Sequence, residues 1–263
     1  MPFDSQSIAA WPRGSDAFVE AFAKGLAVIA AFGDSEDTLT MAELSKRTGL
    51  PRAGVRRLLL TLVELGFAKE QEGRYALTPR VLRLGYAYLS SLSFRDVAQP
   101  AIEALARECD EIVAVSVLDG DDVTYVARAE PSSVLRRSLT IGSRIPAFCT
   151  SMGRVLLAAL PEPEMKERLA RMPRPAFSRR TITDIAALEK EIARARTQGW
   201  YFASEELELG ACGIAAPIRD RSGRIVAALN ISTNLGRHTE KAFVKRFRPL
   251  LLELAGKLSG SFN

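Results

Sequence analysis

Of the 263 residues, 36 are Lys or Arg and 31 are Asp or Glu, giving a formal charge of +5 and a pI near 9.3. That length allows one large domain or two ordinary ones. No apolar run approaches the ~20 residues that cross a bilayer, and the N-terminus lacks the basic-then-apolar order of a signal peptide, so a cytoplasmic protein with no membrane partner is expected. Cys109, Cys149 and Cys212 are widely spaced and form no CxxC pair, which argues against a disulfide framework or a structural zinc site. No cofactor is expected.

Residues 1–15, with Trp11 and Pro12, match no pattern and are read as a flexible N-terminal arm. Asp16 to Phe32 carries Phe18, Phe22, Leu26 and Ile29 at helical spacing, which predicts an amphipathic first helix. The stretch from Thr40 to Thr78 then reads as a winged helix-turn-helix: a helix from Met41 to Thr48, a turn at Gly49-Leu50, a helix from Pro51 to Leu65, and a hairpin of Phe67–Glu70 and Arg74–Thr78 about Gln71-Glu72-Gly73. Proline near the first helical position is harmless because its missing N–H has no intrahelical partner there. Val55, Leu58, Leu59, Leu62 and Leu65 fall on one stripe, while Arg52, Arg56 and Arg57 project from another. An apolar back and a triple-arginine front suit a helix that offers cations to a DNA groove, with Arg74 placed in the wing for a phosphate or minor-groove contact. Met41 to Arg83 holds nine Lys or Arg against four acids, an excess equal to that of the whole chain. Such clustering suits phosphate neutralisation, although charge alone also fits the solvated face of a helical domain.

Pro79 stops the last strand, and residues 80–94 read as a linker helix, leaving domains of 16–79 and 95–263. The second domain begins with a helix from Arg95 to Arg107 and a hairpin of Ile112–Leu118 and Val123–Ala129. A third strand, Leu135 to Ile141, precedes helices at Thr150–Leu160, Glu162–Arg171 and Thr183–Gln198. Strands Tyr201–Glu205, Cys212–Arg219 and Arg224–Thr233 and a closing helix, Thr239–Leu258, complete it. Hairpins interleaved with helices predict an α+β domain with a mostly antiparallel sheet.

Three places in this domain suggest a ligand. Arg137 falls on the apolar face of the third strand, where a guanidinium needs an anion, internal or bound; a bulge or edge position sending it to solvent is the alternative. Thr150-Ser151-Met152-Gly153 sits at a helix start, where free N–H groups favour an anion, although Thr150 also suits a plain N-cap. On the last strand, Val226, Ala228, Asn230 and Ser232 form a small and polar face that suits either a ligand or solvent. Gly210 and Gly213 would allow close backbone approach. His238, in the polar run TNLGRHTEK, reads as a surface or capping residue.

Over nearly its full length the chain resembles the IclR family of transcription regulators. KGLAVIAAF, AELSKRTGLPRAGVRRLLLTLVELGF, YALTPRVLRLGYAYL, VSVLDGDDVTYVAR, IGSRIPAFCTSMGRVLLAAL and GIAAPIRDRSGRIVAALNIS occur in the family's order and spacing. The form RIPAFCTSMGRVLLA is similar to the branch that senses aromatic acids such as protocatechuate and 4-hydroxybenzoate, or the ring-cleavage product β-ketoadipate. The resemblance implies an N-terminal winged domain that binds palindromic, double-stranded operator DNA as a homodimer, often paired into a tetramer, and a C-terminal domain that binds a small aromatic or dicarboxylic acid effector. It also implies an effector pocket lined by Ser151 and Met152, by the Gly210–Gly213 segment, and by Asn230 and Ser232, with Arg137 facing it. Gly54 departs from the family pattern, which usually has Thr or Ser there.

The function read from the chain is therefore a ligand-responsive regulator of transcription. An enzyme with an accessory DNA-binding module has little to work with: one histidine, no nucleophile elbow, no GxGxxG and no acidic metal cluster. A dimeric interaction protein that has kept the fold and lost the effector is the third reading.

Overall fold

The computed structural model describes residues 18–33, 38–84, 95–131, 139–236 and 238–260. The predicted arm over residues 1–15, most of the predicted linker helix and the stretch 132–138 lie outside them. The chain divides into two compact units, residues 1–88 and 89–263.

In the first unit, helices α1 (Glu20–Ala30), α2 (Met41–Thr48) and α3 (Arg52–Glu64) pack with short strands β1 (Leu39–Thr40), β2 (Ala68–Gln71) and β3 (Arg74–Leu77), which form a sheet in the order β1-β3-β2. The helix boundaries have local causes. Thr40 and Glu43 form a reciprocal capping box: the Glu43 N–H donates to Thr40 Oγ1 and the Thr40 N–H donates to Glu43 Oε2, satisfying two otherwise orphan donors. Gly49, at φ 68°, ends α2 in the left-handed conformation that glycine adopts freely. Pro51 is the N-cap of α3 rather than its first helical residue. Gln71 pairs with Arg74 across the two-residue turn Glu72-Gly73, both at positive φ, the geometry that suits a twisted hairpin.

Val28, Leu39, Leu44, Val55, Leu59 and Leu62 form the core of this unit. The stripe predicted for α3 thus holds through Leu62, but Leu65 lies past the last helical turn and is exposed. The first helix departs further from its pattern. Its buried residues are Ala27 and Val28, whereas Phe22 is 68% and Leu26 43% exposed.

The second unit is a six-stranded, wholly antiparallel sheet in the order β6-β5-β4-β9-β8-β7, built from β4 (Ile112–Asp119), β5 (Asp122–Ala129), β6 (Arg144–Pro146), β7 (Tyr201–Ser204), β8 (Ala211–Arg219) and β9 (Ile225–Asn234). One face packs on α4 (Arg95–Cys109) and the terminal helix α8 (Glu240–Leu258), with Ile102, Phe243, Phe247 and Leu251 set against Val115, Ile214 and Leu229. The other face packs on α5 (Ser151–Leu157), α6 (Glu162–Arg171) and α7 (Ile185–Gln198), and here the sheet offers Ala114, Ala215 and Ala228. These small side chains let α5 lie close to the strands. The segment leading into α5 also packs tightly on it: a Cβ at Gly153 would fall 1.9 Å from the carbonyl oxygen of Ala147.

Two strand expectations need correction. The described part of the predicted third strand, residues 139–141, is not extended pairing but the approach to a turn, and the short strand beside β5 is instead Arg144–Pro146. On the last strand, a register shift between Ile218 and Arg219 swaps the ends of the alternation, so that Val226 packs with the α8 side and Ile225 with the α5 side.

Candidate functional site

On the winged unit, Arg52, Arg56 and Arg57 are all exposed, and among the described residues no hydrogen bond or ion pair engages their side chains. Arg52 and Arg56 lie one helical turn apart on α3, with Arg57 beside them. A Cβ at Gly54, between them, would meet nothing within 4 Å. Arg74 is placed differently from the expectation of a free wing cation: its Nε donates to Thr38 Oγ1 and its Nη2 to the Thr38 carbonyl, both at 2.8 Å. That guanidinium ties β3 to the chain entering β1.

In the second unit a cavity of about 110 Å³ opens on the α5 side of the sheet. Three sets of residues wall it. The first comes from the start of α5 and the strands beneath it. Thr150 caps α5 by accepting from the Gly153 N–H, and Ser151 and Met152 follow, both buried. Asn230, projecting from β9, donates through Nδ2 to Ser151 Oγ at 3.1 Å and to the Ile214 carbonyl. A Cβ at Gly213 would fall 2.9 Å from that Nδ2, so glycine makes room for the bond. Ser151 accepts here, which leaves its own proton for another acceptor.

The second wall is Tyr125 and Arg128 of β5. The Arg128 side chain is 7% exposed, its Nε and Nη2 both donate to Glu130 Oε1, and its guanidinium lies 5.7 Å from the centre of the Tyr125 ring. The third wall is the loop 205–208, held from behind by Arg154 of α5. Arg154 is fully buried and grips Glu206 with two nitrogens at 2.6 and 2.5 Å, while also donating to the Tyr201 hydroxyl and the Phe148 carbonyl. Burial alone would lower the pKa of Arg154, but Glu206 and then Tyr201 hold it above the ordinary value. The Tyr201 hydroxyl in turn donates a hydrogen bond to Glu191. Cys149 and Cys212 also line the cavity, and burial pushes both thiols up to about 12. Among the described residues no group of three or more His, Cys, Asp or Glu could hold a metal ion.

Residues 21–72 match the IclR helix-turn-helix domain, and residues 86–260 match the C-terminal domain of bacterial IclR transcriptional regulators. The chain belongs to the IclR family. It is 44% identical to the Pca regulon regulatory protein of Pseudomonas putida over 91% of this chain and 82% of that one. It is 32% identical to the p-hydroxybenzoate hydroxylase transcriptional activator of Acinetobacter baylyi over 92% and 91%. Among solved structures, a transcriptional regulator of Rhodococcus sp. RHA1 superposes with a TM-score of 0.82 at 43% identity, covering 93% of this chain and 98% of that one. An IclR homolog of Microbacterium hydrocarbonoxydans, crystallised with 4-hydroxybenzoate, superposes with a TM-score of 0.78 at 27% identity over 91% and 97%. As an IclR-family protein the chain is a ligand-responsive, DNA-binding regulator of transcription. No described helix is long and apolar enough to cross a membrane.

Of the residues singled out in the sequence of this IclR-family chain, Ser151, Met152, Gly213, Asn230 and Ser232 line one cavity. Gly210 does not. At φ +79 it shapes the loop before β8, donating its N–H to Glu205 and accepting from Leu235. Arg137 lies outside the described residues. His238 is neither a plain surface group nor a cap: it is 17% exposed and pairs through Nε2 with the buried Glu111 at 2.8 Å, against the rings of Phe243 and Phe247. Sequence reasoning missed Arg128, Arg154 and Glu206. Arg154 did leave a signal, since a lone cation inside MGRVLLAAL is a charge that an apolar run must pair or expel.

Proposed function

We propose that this protein senses a small hydroxylated aromatic acid, or a dicarboxylic acid derived from one, and controls genes for its breakdown. The observation that carries the reading is the convergence of a hydroxyl donor, Ser151, set by Asn230, with a buried guanidinium, Arg128, on the walls of one cavity. A planar acid needs that pairing of a polar end with a cationic end. Two of its relatives in sequence are a Pca regulon regulatory protein and a p-hydroxybenzoate hydroxylase transcriptional activator, and a structural neighbour was crystallised with 4-hydroxybenzoate. Arg128 thereby joins Arg137 as a candidate anchor for the carboxylate.

Arg52, Arg56 and Arg57 are assigned to the operator, with Arg74 in a supporting place beside Thr38. Val19, Phe22 and Leu26 stand exposed at spacings of three and four along the start of α1, an apolar stripe that suits a second copy and hence a homodimer on a palindromic site. The effector would shift the population of dimers whose winged units fit the operator. It needs no cofactor and no catalysis.

Isothermal titration with 4-hydroxybenzoate, protocatechuate and β-ketoadipate tests the reading on the wild type, Arg128→Ala and Arg137→Ala. Saturable binding of at least one acid is expected, lost in whichever variant removes the anchor. Silence from all three acids overturns the effector class; undiminished binding in both variants overturns the guanidinium anchor.

A further inference from the structure

A second hollow of the same unit, about 460 Å³ in volume, lies along β7, lined by Trp200, Tyr201 and Phe202 and by residues of α7 and α8. It is large enough for several side chains, since ligand clefts occupy about 300–1,000 Å³. Among the described residues β7 is the terminal strand of the sheet, paired with β8 alone, so one row of its backbone N–H and C=O groups has no strand partner there. Edges of this kind are usually guarded by charges or proline on the strand itself. Here the strand reads YFAS and carries neither. The charge stands beside it instead. Lys241, Lys245 and Arg248 follow one face of α8 at spacings of four and three, all exposed, and among the described residues no carboxylate engages any of them. Arg248 lies 5.4 Å from the centre of the Trp200 ring, which floors the groove with Phe202. The one acid in the lining, Glu240, is already spent: Arg180 holds it at 2.6 Å and the Ser204 hydroxyl donates to it, so that both bonds keep its pKa below the ordinary value.

A bare strand edge flanked by uncompensated cations and aromatic surface has one natural complement. We propose that this groove takes an extended, acidic segment of a partner protein, which adds its backbone to the free edge of β7 and lays its carboxylates against Lys241, Lys245 and Arg248. Main-chain pairing would supply affinity, and alternate side chains would select acids on the α8 side. A polyanion with no strand-forming backbone would use the cations and leave the edge bare.

The test uses the full-length protein and a fluorescein-labelled peptide of alternating Glu and Val, followed by fluorescence anisotropy. Wild type should bind it saturably, and the matching Lys-Val peptide should not bind. The double variant K245E/R248E changes two exposed positions and should weaken binding by about tenfold or more. N-methylation of alternate peptide nitrogens, which removes donors on one edge, should weaken it comparably. K241A/K245A serves as the second variant should the first fail to fold. No binding to wild type, equal binding by a folded variant, or equal binding of the N-methylated peptide overturns the proposal. So do an oligothymidylate that displaces the peptide and is itself lost in the variant, which assigns the groove to nucleic acid, and self-association in sedimentation that the variant abolishes, which assigns it to a second copy.

Discussion

In the winged unit Arg52, Arg56 and Arg57 stand in solvent with no partner among the described residues, whereas in the second unit Arg154 is buried with donors directed to Glu206, Tyr201 and Phe148. The same side chain is used in opposite ways. An unpaired surface guanidinium costs the fold almost nothing and remains available to phosphates and base edges. A buried one is tolerated only because its partners replace water, and it then becomes part of the wall that a ligand meets. The two units thus use arginine differently, as open surface cations in one and as a committed prop for loop 205–208 in the other.

Breaking the buried case should give the largest effect. Arg154→Ala strands Glu206 without its cation, which costs about 3–5 kcal/mol. Urea denaturation should show that loss, and the cavity, deprived of the anchor for loop 205–208, should bind the proposed acid effector more weakly. The double replacement Arg154→Met with Glu206→Leu sharpens the point, because removing both charges together should restore most of the stability. A double variant as unstable as the single one would mean that the ion pair itself, rather than the orphaned charge, carries the energy.

On the exposed side, Arg56→Ala should leave stability within about 0.5 kcal/mol of wild type and weaken binding to a selected operator by about 1–3 kcal/mol if it reads a base. On a random-sequence duplex, a phosphate contact would instead appear as a salt dependence shallower by about one unit. Unchanged affinity on both duplexes would remove Arg56 from the interface. The smallest effect is expected beside it. Gly54→Ala meets no neighbour and relieves the conformational cost of a helical glycine, so α3 should gain about 0.5–1 kcal/mol, visible as a raised urea midpoint. Loss of stability there would mean that α3 bends at Gly54.

What the chain betrayed of this arrangement followed the range of the interactions. Met41–Thr48 and Glu162–Arg171 were legible to the residue, because caps and prolines act within one turn. The cavity was legible at Ser151, Met152, Gly213, Asn230 and Ser232, where helix start and strand alternation place small and polar groups on one face. The first helix misled because Phe22 and Leu26 share an apolar stripe that the winged unit itself does not cover. His238 was misread because its partner, Glu111, lies 127 residues away in the chain. Arg128 escaped for a related reason: its environment depends on which strand neighbours β5 and on a carboxylate two residues along, which alternation alone does not reveal.

The two cysteines in the cavity wall give the fold a built-in chemical clock. Burial pushes the thiols of Cys149 and Cys212 up to about 12, so both stay protonated at neutral pH, and the thiolate is the species that alkylating reagents attack. Neither sulfur can be modified quickly while the wall is closed around it. The rate at which iodoacetamide labels these positions therefore measures how often the wall opens. An occupant of the cavity would slow that rate in proportion to its occupancy, reporting the sensor's state without any reference to DNA.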